Sequence, residues 1–88
     1  MDDSTTFENV GLAGTYVLKS GAGFLHTLTI NTTSAGAITL YNNTSAAGKK
    51  IAIIKASVAE QTFVYDINFN VGLTMVLAGA SDVTVSFT

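Results

Sequence analysis

From Phe63 to Val71 the chain reads FVYDINFNV, and apolar and polar residues alternate through it almost without a break. On an extended backbone successive side chains point to opposite faces. Phe63, Tyr65, Ile67, Phe69 and Val71 therefore share one face, while Val64, Asp66, Asn68 and Asn70 share the other. A helix cannot gather that pattern into one stripe. It predicts a strand with one face turned to a core, and such a strand has to be paired and covered to be stable.

The same period recurs along the chain. FLHTLTIN (24–31) places Phe24, His26, Leu28 and Ile30 on one face and Leu25, Thr27, Thr29 and Asn31 on the other. AITLYN (37–42) turns Ile38 and Leu40 inward, LTMVLA (73–78) gathers Leu73, Met75 and Leu77, and VTVSFT (83–88) turns Val83, Val85 and Phe87 inward. TYVLK (15–19) is a further strand candidate. IAIIKAS (51–57) has Ile51 and Ile53 on one face and Ile54 on the other, as suits a strand covered on both sides or facing a partner. Gly, Ser, Thr, Asn and Ala fill the intervening turns, proline is absent, and the one helix candidate, 55–61, is too short to matter. Six to eight short strands so spaced predict an all-β protein, a small antiparallel β-sandwich of jelly-roll or Greek-key type. Residues 1–14 have no sustained period and read as an N-terminal arm; 15–88 form the single domain. In the arm, Asp2, Asp3, Phe7, Glu8 and Val10 are the candidate interface residues, Phe7 and Val10 as apolar anchors.

Charge is the unusual quantity. Charged residues make up 11% of the chain, against about 25% in ordinary soluble domains, and Thr, Ser and Asn stand in for them. Such a surface repels its neighbours weakly and favours association with other protein. The net charge is -2 and arginine is absent, which argues against nucleic-acid binding. No apolar run approaches a membrane span, and the polar, acidic N-terminus resembles neither a secretory signal nor a transit peptide.

No reaction is written in the residues. Cysteine is absent, so disulfides and thiolate metal sites are excluded. His26 is the one histidine and has no companion with which to share a metal. The carboxylates Asp2, Asp3, Glu8, Glu60, Asp66 and Asp82 show no paired or loop-ligand spacing. GAGFLH (21–26) begins like a phosphate loop but lacks the third glycine and the following helix, and reads as a hairpin turn. The Asn-x-Ser/Thr triplets starting at Asn31, Asn42 and Asn43 read as Thr-rich turns. The expectation is a non-enzyme with no cofactor and no metal.

Residues 15–87 have a further character. The turn Ser20–Gly23, the loop ITLYNNTSAAG and the ending GLTMVLAGASDVTVSF resemble small structural proteins of tailed bacteriophages. The resemblance implies a virion component, most nearly a capsid decoration or cement protein made in the host cytoplasm and carried on the outer head surface. It implies as partners the major capsid protein and sister subunits in a homotrimer, with the arm around Asp2–Glu8 reaching a neighbour. A tail or head-tail subunit and a receptor- or carbohydrate-binding module are the alternatives; the latter would use exposed aromatic platforms, and the chain has no tryptophan.

Overall fold

The computed structural model describes residues 5–88. Eight strands follow in order: β1 (Thr6–Val10), β2 (Gly14–Ser20), β3 (Gly23–Thr32), β4 (Ile38–Asn42), β5 (Lys49–Ile54), β6 (Thr62–Phe69), β7 (Gly72–Leu77) and β8 (Asp82–Phe87). They form two antiparallel four-stranded sheets, ordered β1-β8-β3-β6 and β2-β7-β4-β5. The pairs β1–β8, β2–β7, β3–β6 and β4–β5 are those of one long hairpin, rolled so that successive rungs alternate between sheets. This is the jelly-roll arrangement of the sandwich class expected from the periodicity. Only the β4–β5 connection is a hairpin; every other one crosses between the sheets.

Burial follows from that topology. The fully enclosed apolar side chains come mostly from the central strands: Leu25, Leu28 and Ile30 of β3, Ile38 and Leu40 of β4, Leu73, Met75 and Leu77 of β7, and Val83, Val85 and Phe87 of β8. The edge strands add Ile54 and Phe69, with Val10, Tyr16, Leu18 and Phe63 packed partly against them. Where the chain crosses between sheets near Gly36, a Cβ there would overlap the backbone of Ala78 and Gly79, so the crossing requires glycine. The turn at Ser20–Gly23 is also such a crossing and not the expected hairpin, because β2 pairs with β7 while β3 pairs with β6 and β8. Gly21 sits there at a φ of 98° and donates its N–H to the Val71 carbonyl at 2.9 Å.

The segment read as an arm is partly sheet. Thr6–Val10 pairs residue for residue with β8, from Thr6 opposite Phe87 to Val10 opposite Val83. The sandwich therefore begins at Thr6. This strand owes its order to a partner more than seventy residues away, which local pattern does not reveal.

Two other departures share one cause, a slip in strand register. Leu25 faces Phe87 and Thr27 faces Ser86, so His26 has no opposite number on β8. On the other side Leu25 faces Ile67 and Thr27 faces Val64, so Tyr65 and Asp66 together stand opposite His26. The slip at His26 adds a residue to β3 and reverses its alternation. Leu25 is therefore buried with Leu28 and Ile30, while Phe24 and His26 are only half-buried, against the expected faces of β3. In β5, Leu40 faces Ala52 and Tyr41 faces Lys50, leaving Ile51 unpaired. Ile51 consequently packs on the core and Ile53 turns outward, so the two do not share a face as expected. Val71 lies beyond the end of β6 and is exposed, where continued alternation would have placed it inside.

Asp66 takes up the β6 bulge with a left-handed φ of 51°. A β-branched residue is strained there and glycine is not. Asp66→Val is expected to lower unfolding free energy by about 1–3 kcal/mol and Asp66→Gly to leave it nearly unchanged, as read by urea denaturation of the two variants beside the parent protein.

Candidate functional site

The register arranges the outward residues into rows that cross each sheet. On the β1-β8-β3-β6 sheet one row runs Phe7, Ser86, Thr27, Val64 and the next runs Asn9, Thr84, Thr29, Thr62. The middle of each row is hydroxyl-rich and internally bonded: Thr27 Oγ1 lies 2.6 Å from Ser86 Oγ, and Thr29 Oγ1 lies 2.9 Å from Thr62 Oγ1. On the β2-β7-β4-β5 sheet the rows are Val17, Thr74, Tyr41, Lys50 and Thr15, Val76, Thr39, Ile53. Thr74 is fully buried although it lies on an outer row, because the β4–β5 loop covers it. Its hydroxyl donates to the Asn43 carbonyl at 2.7 Å, and Asn43 Nδ2 ties the loop down by donating to the Ala47 carbonyl at 2.8 Å.

Apolar side chains left in solvent have a definite placement. Among the described residues the large exposed ones are Phe7, Leu12, Val17, Ile53, Val64, Ile67 and Val71. Each lies on an edge strand or in a loop that follows one; none is on β3, β4, β7 or β8. Phe7, Leu12 and Val17 occupy the side of the sandwich formed by β1 and β2. Ile53, Val64, Ile67 and Val71 occupy the side formed by β5 and β6, the last in the loop leaving β6. Phe7 and Val64, 65% and 67% exposed, stand at opposite ends of one row. The first side carries exposed Glu8 and half-buried Lys19; the second carries exposed Lys49, Lys50 and Lys55 on or next to β5 and exposed Glu60 and Asp66 on or just before β6.

Among the expected interface residues, Phe7 and Glu8 are exposed on the edge strand β1. Val10 is turned inward opposite Val83 and packs partly on the core, so it anchors the strand and is not free for a partner. Asp2 and Asp3 lie outside the described residues. Periodicity placed Val64 as the one apolar residue on the polar face of its strand, and that exception marks the second side. The two-faced character of β5 pointed to Ile53, although the slip at Ile51 hid which isoleucine it would be. Leu12, in a loop, stands out in the sequence as an isolated apolar residue of the polar arm, like Phe7 and Val10.

Two polar clusters brace the β1-β8-β3-β6 sheet. Asp82 accepts hydrogen bonds from Asn9 Nδ2 at 2.7 Å and Asn31 Nδ2 at 3.2 Å, and both amides also reach Thr84 Oγ1 at 3.1 Å. The bond from Asn9, and then that from Asn31, holds the Asp82 carboxyl below its ordinary range. At the bulge, His26 Nε2 lies 2.7 Å from Thr88 Oγ1, Nδ1 lies 3.9 Å from Asp66 Oδ1, and the ring stacks obliquely on Phe24 with centroids 4.7 Å apart. Nearby, burial pushes the Tyr65 phenol up. Among the described residues no three His, Asp or Glu side chains converge, and no concave pocket opens in the surface.

No protein-family model and no curated protein matches the chain. Solved structures do share its fold. The Drosophila NLP core, whose structure bears on pentamer formation and histone binding, superposes with a TM-score of 0.61 at 12% identity over 98% of this chain and 97% of that one. A protein of the Bacillus endospore appendages, a family of disulfide-linked pili, superposes with a TM-score of 0.52 at 10% identity over 99% of this chain and 87% of that one. At these identities the likeness is one of fold.

The Asp82 cluster has a pH signature. A carboxyl whose folded pKa is depressed adds stability above its unfolded value of about 3.9, and loses it as pH falls through the lower folded value. Asp82→Asn is therefore expected to be less stable than the parent at neutral pH, with the gap narrowing below about pH 4. Paired urea melts across that range check it.

Proposed function

We propose that the protein is a non-enzymatic structural subunit that acts by binding other protein, and within that class a virion component decorating the outer surface of a phage head. One observation carries the first part: the exposed large apolar side chains are confined to the two lateral sides of a rigid sandwich whose surface has few charges. Scattered apolar residues on a monomer need no explanation, but a placement sorted to the sides does. A contact with few charges avoids the cost of desolvating them.

The second part rests on the resemblance of residues 15–87 to small tailed-phage structural proteins. It brings with it the major capsid protein and sister subunits in a trimer as the proposed partners. The solved structures of like fold include a pentamer-forming protein and a pilus protein, which suits a fold used for assembly and says nothing of a phage.

The test is the copy number of the protein in purified phage particles, measured against the major capsid protein by quantitative mass spectrometry. Decoration predicts copies comparable to those of the capsid protein. A handful per particle would place it in the tail or at the portal, and absence from particles would overturn the virion reading.

A further inference from the structure

β1 is the strand that the sandwich can spare. Val10 alone of its five residues is half-buried, whereas β2, β5 and β6 each seat several side chains in the core or partly against it. β1 pairs with β8 and nothing else, and β8 does not need it in return. The other side of β8 is paired with β3 from Asp82 to Phe87, and its Val83, Val85 and Phe87 are core. Lifting β1 away therefore exposes little apolar surface and leaves the rest of the sandwich standing. The place it vacates is already built. Asp82 Oδ1, the Val83 carbonyl and Thr84 Oγ1 converge on Asn9 Nδ2 at 2.7, 3.0 and 3.1 Å. Asn31 of β3 donates to the same Asp82 and Thr84 oxygens, so they stay aligned without β1. An extended segment fits there when it offers an amide to those three acceptors and turns an apolar residue inward beside it. Thr6–Val10 does both, through Asn9 and Val10, and every copy of the chain carries the same segment.

We infer that β1 is exchangeable: copies of this chain trade Thr6–Val10, each strand pairing with β8 of another copy in the register it has within its own. The β1–β8 contacts are the same in the closed and exchanged forms, so the balance between them lies in the hinge and in concentration. The hinge is Gly11, Leu12 and Ala13, between β1 and β2. Its closed turn is held by the Tyr16 hydroxyl, which donates to the Leu12 carbonyl at 2.7 Å. A tether this short keeps β1 near its own β8 at an effective concentration of about 1 mM. The closed form therefore prevails in dilute solution, and exchange sets in where copies are crowded to that level. The inference rests on the reading of the protein as one that binds other protein, and not on the virion.

The experiment exploits the absence of native cysteine. Phe7 and Ser86 stand opposite each other on the outer face, so Phe7→Cys and Ser86→Cys in one chain are expected to close a disulfide within that chain when dilute. The two variants made separately and mixed at about 1 mM under mild oxidation are expected to give a dimer linked Phe7→Cys to Ser86→Cys, beyond what random collision of the thiols yields. Its yield is expected to fall on dilution to micromolar and to rise severalfold when Tyr16→Phe releases the hinge. If the double variant does not close, Asn9→Cys and Thr84→Cys, also opposite each other, replace the pair. Hydrogen exchange on the parent chain is the second reading and needs no variant: the amides between β1 and β8 are expected to exchange well before those between β8 and β3. A double variant that closes while the separate variants give no linked dimer overturns the inference. So does equal protection of the two sets of amides. A chain that coats purified phage heads without exchanging strands overturns this inference and leaves the decoration reading; one that exchanges strands but is missing from particles does the reverse.

Discussion

The structure depends on two four-stranded sheets burying their inner faces against each other in a body only 17 Å through its thinnest dimension. Neither sheet can be assembled from one part of the chain. The first contains β1 and β8, and β8 sits between β1 and β3 as a central strand. This is why strand-like sequence runs to the end of the chain: Val83, Val85 and Phe87 are core, enclosed on both flanks by paired strands. It also means that the core closes only when segments far apart in sequence meet, a topology in which loop-closure entropy comes before the reward of packing.

Register slips shape that core as much as the alternation does. His26 is extra relative to β8, and Tyr65 with Asp66 is extra relative to His26, so each successive strand is longer at the same level. A sheet whose strands lengthen toward one edge must bend there. At the bend His26 lies against Thr88, Asp66 and Phe24. The lone histidine thus has a structural setting, in a bulge whose neighbours come from three strands or their ends.

These features divide what periodicity can reveal from what it cannot. The strands β4, β7 and β8 keep strict alternation, and their inward residues are legible one by one. In β6 Phe63, Tyr65 and Phe69 turn toward the core as the alternation has them, while Ile67, next to the bulge, is exposed against that expectation. In β3 and β5 an inserted residue reverses the phase, and nothing local at His26 or Ile51 announces it, because a bulge is defined by the partner strand. Thr6–Val10 is hidden for the same reason: five mostly polar residues become a strand only beside β8. The surface follows this division. Phe7 and Val64 were visible as apolar residues in polar surroundings, whereas their position at two ends of one row is a property of the register alone.

The edges show how such a molecule can associate without aggregating. Strands β2, β5 and β6 each carry a register slip together with a charge: Lys19, the pair Lys49 and Lys50, and Asp66. Slips and charges on an edge discourage another strand from adding to it. β1 has no slip against β8, but it is short, and its central residue is Glu8. Backbone pairing between molecules is therefore disfavoured on at least three of four edges, while the apolar side chains of those same edges stay exposed. Contact through side chains is limited to surfaces that match in shape, height and charge, whereas strand addition matches almost any partner. An edge that refuses strands but offers Phe7 or Val64 favours a specific neighbour over an indiscriminate one, as a protein of low charge needs if it is to assemble in order.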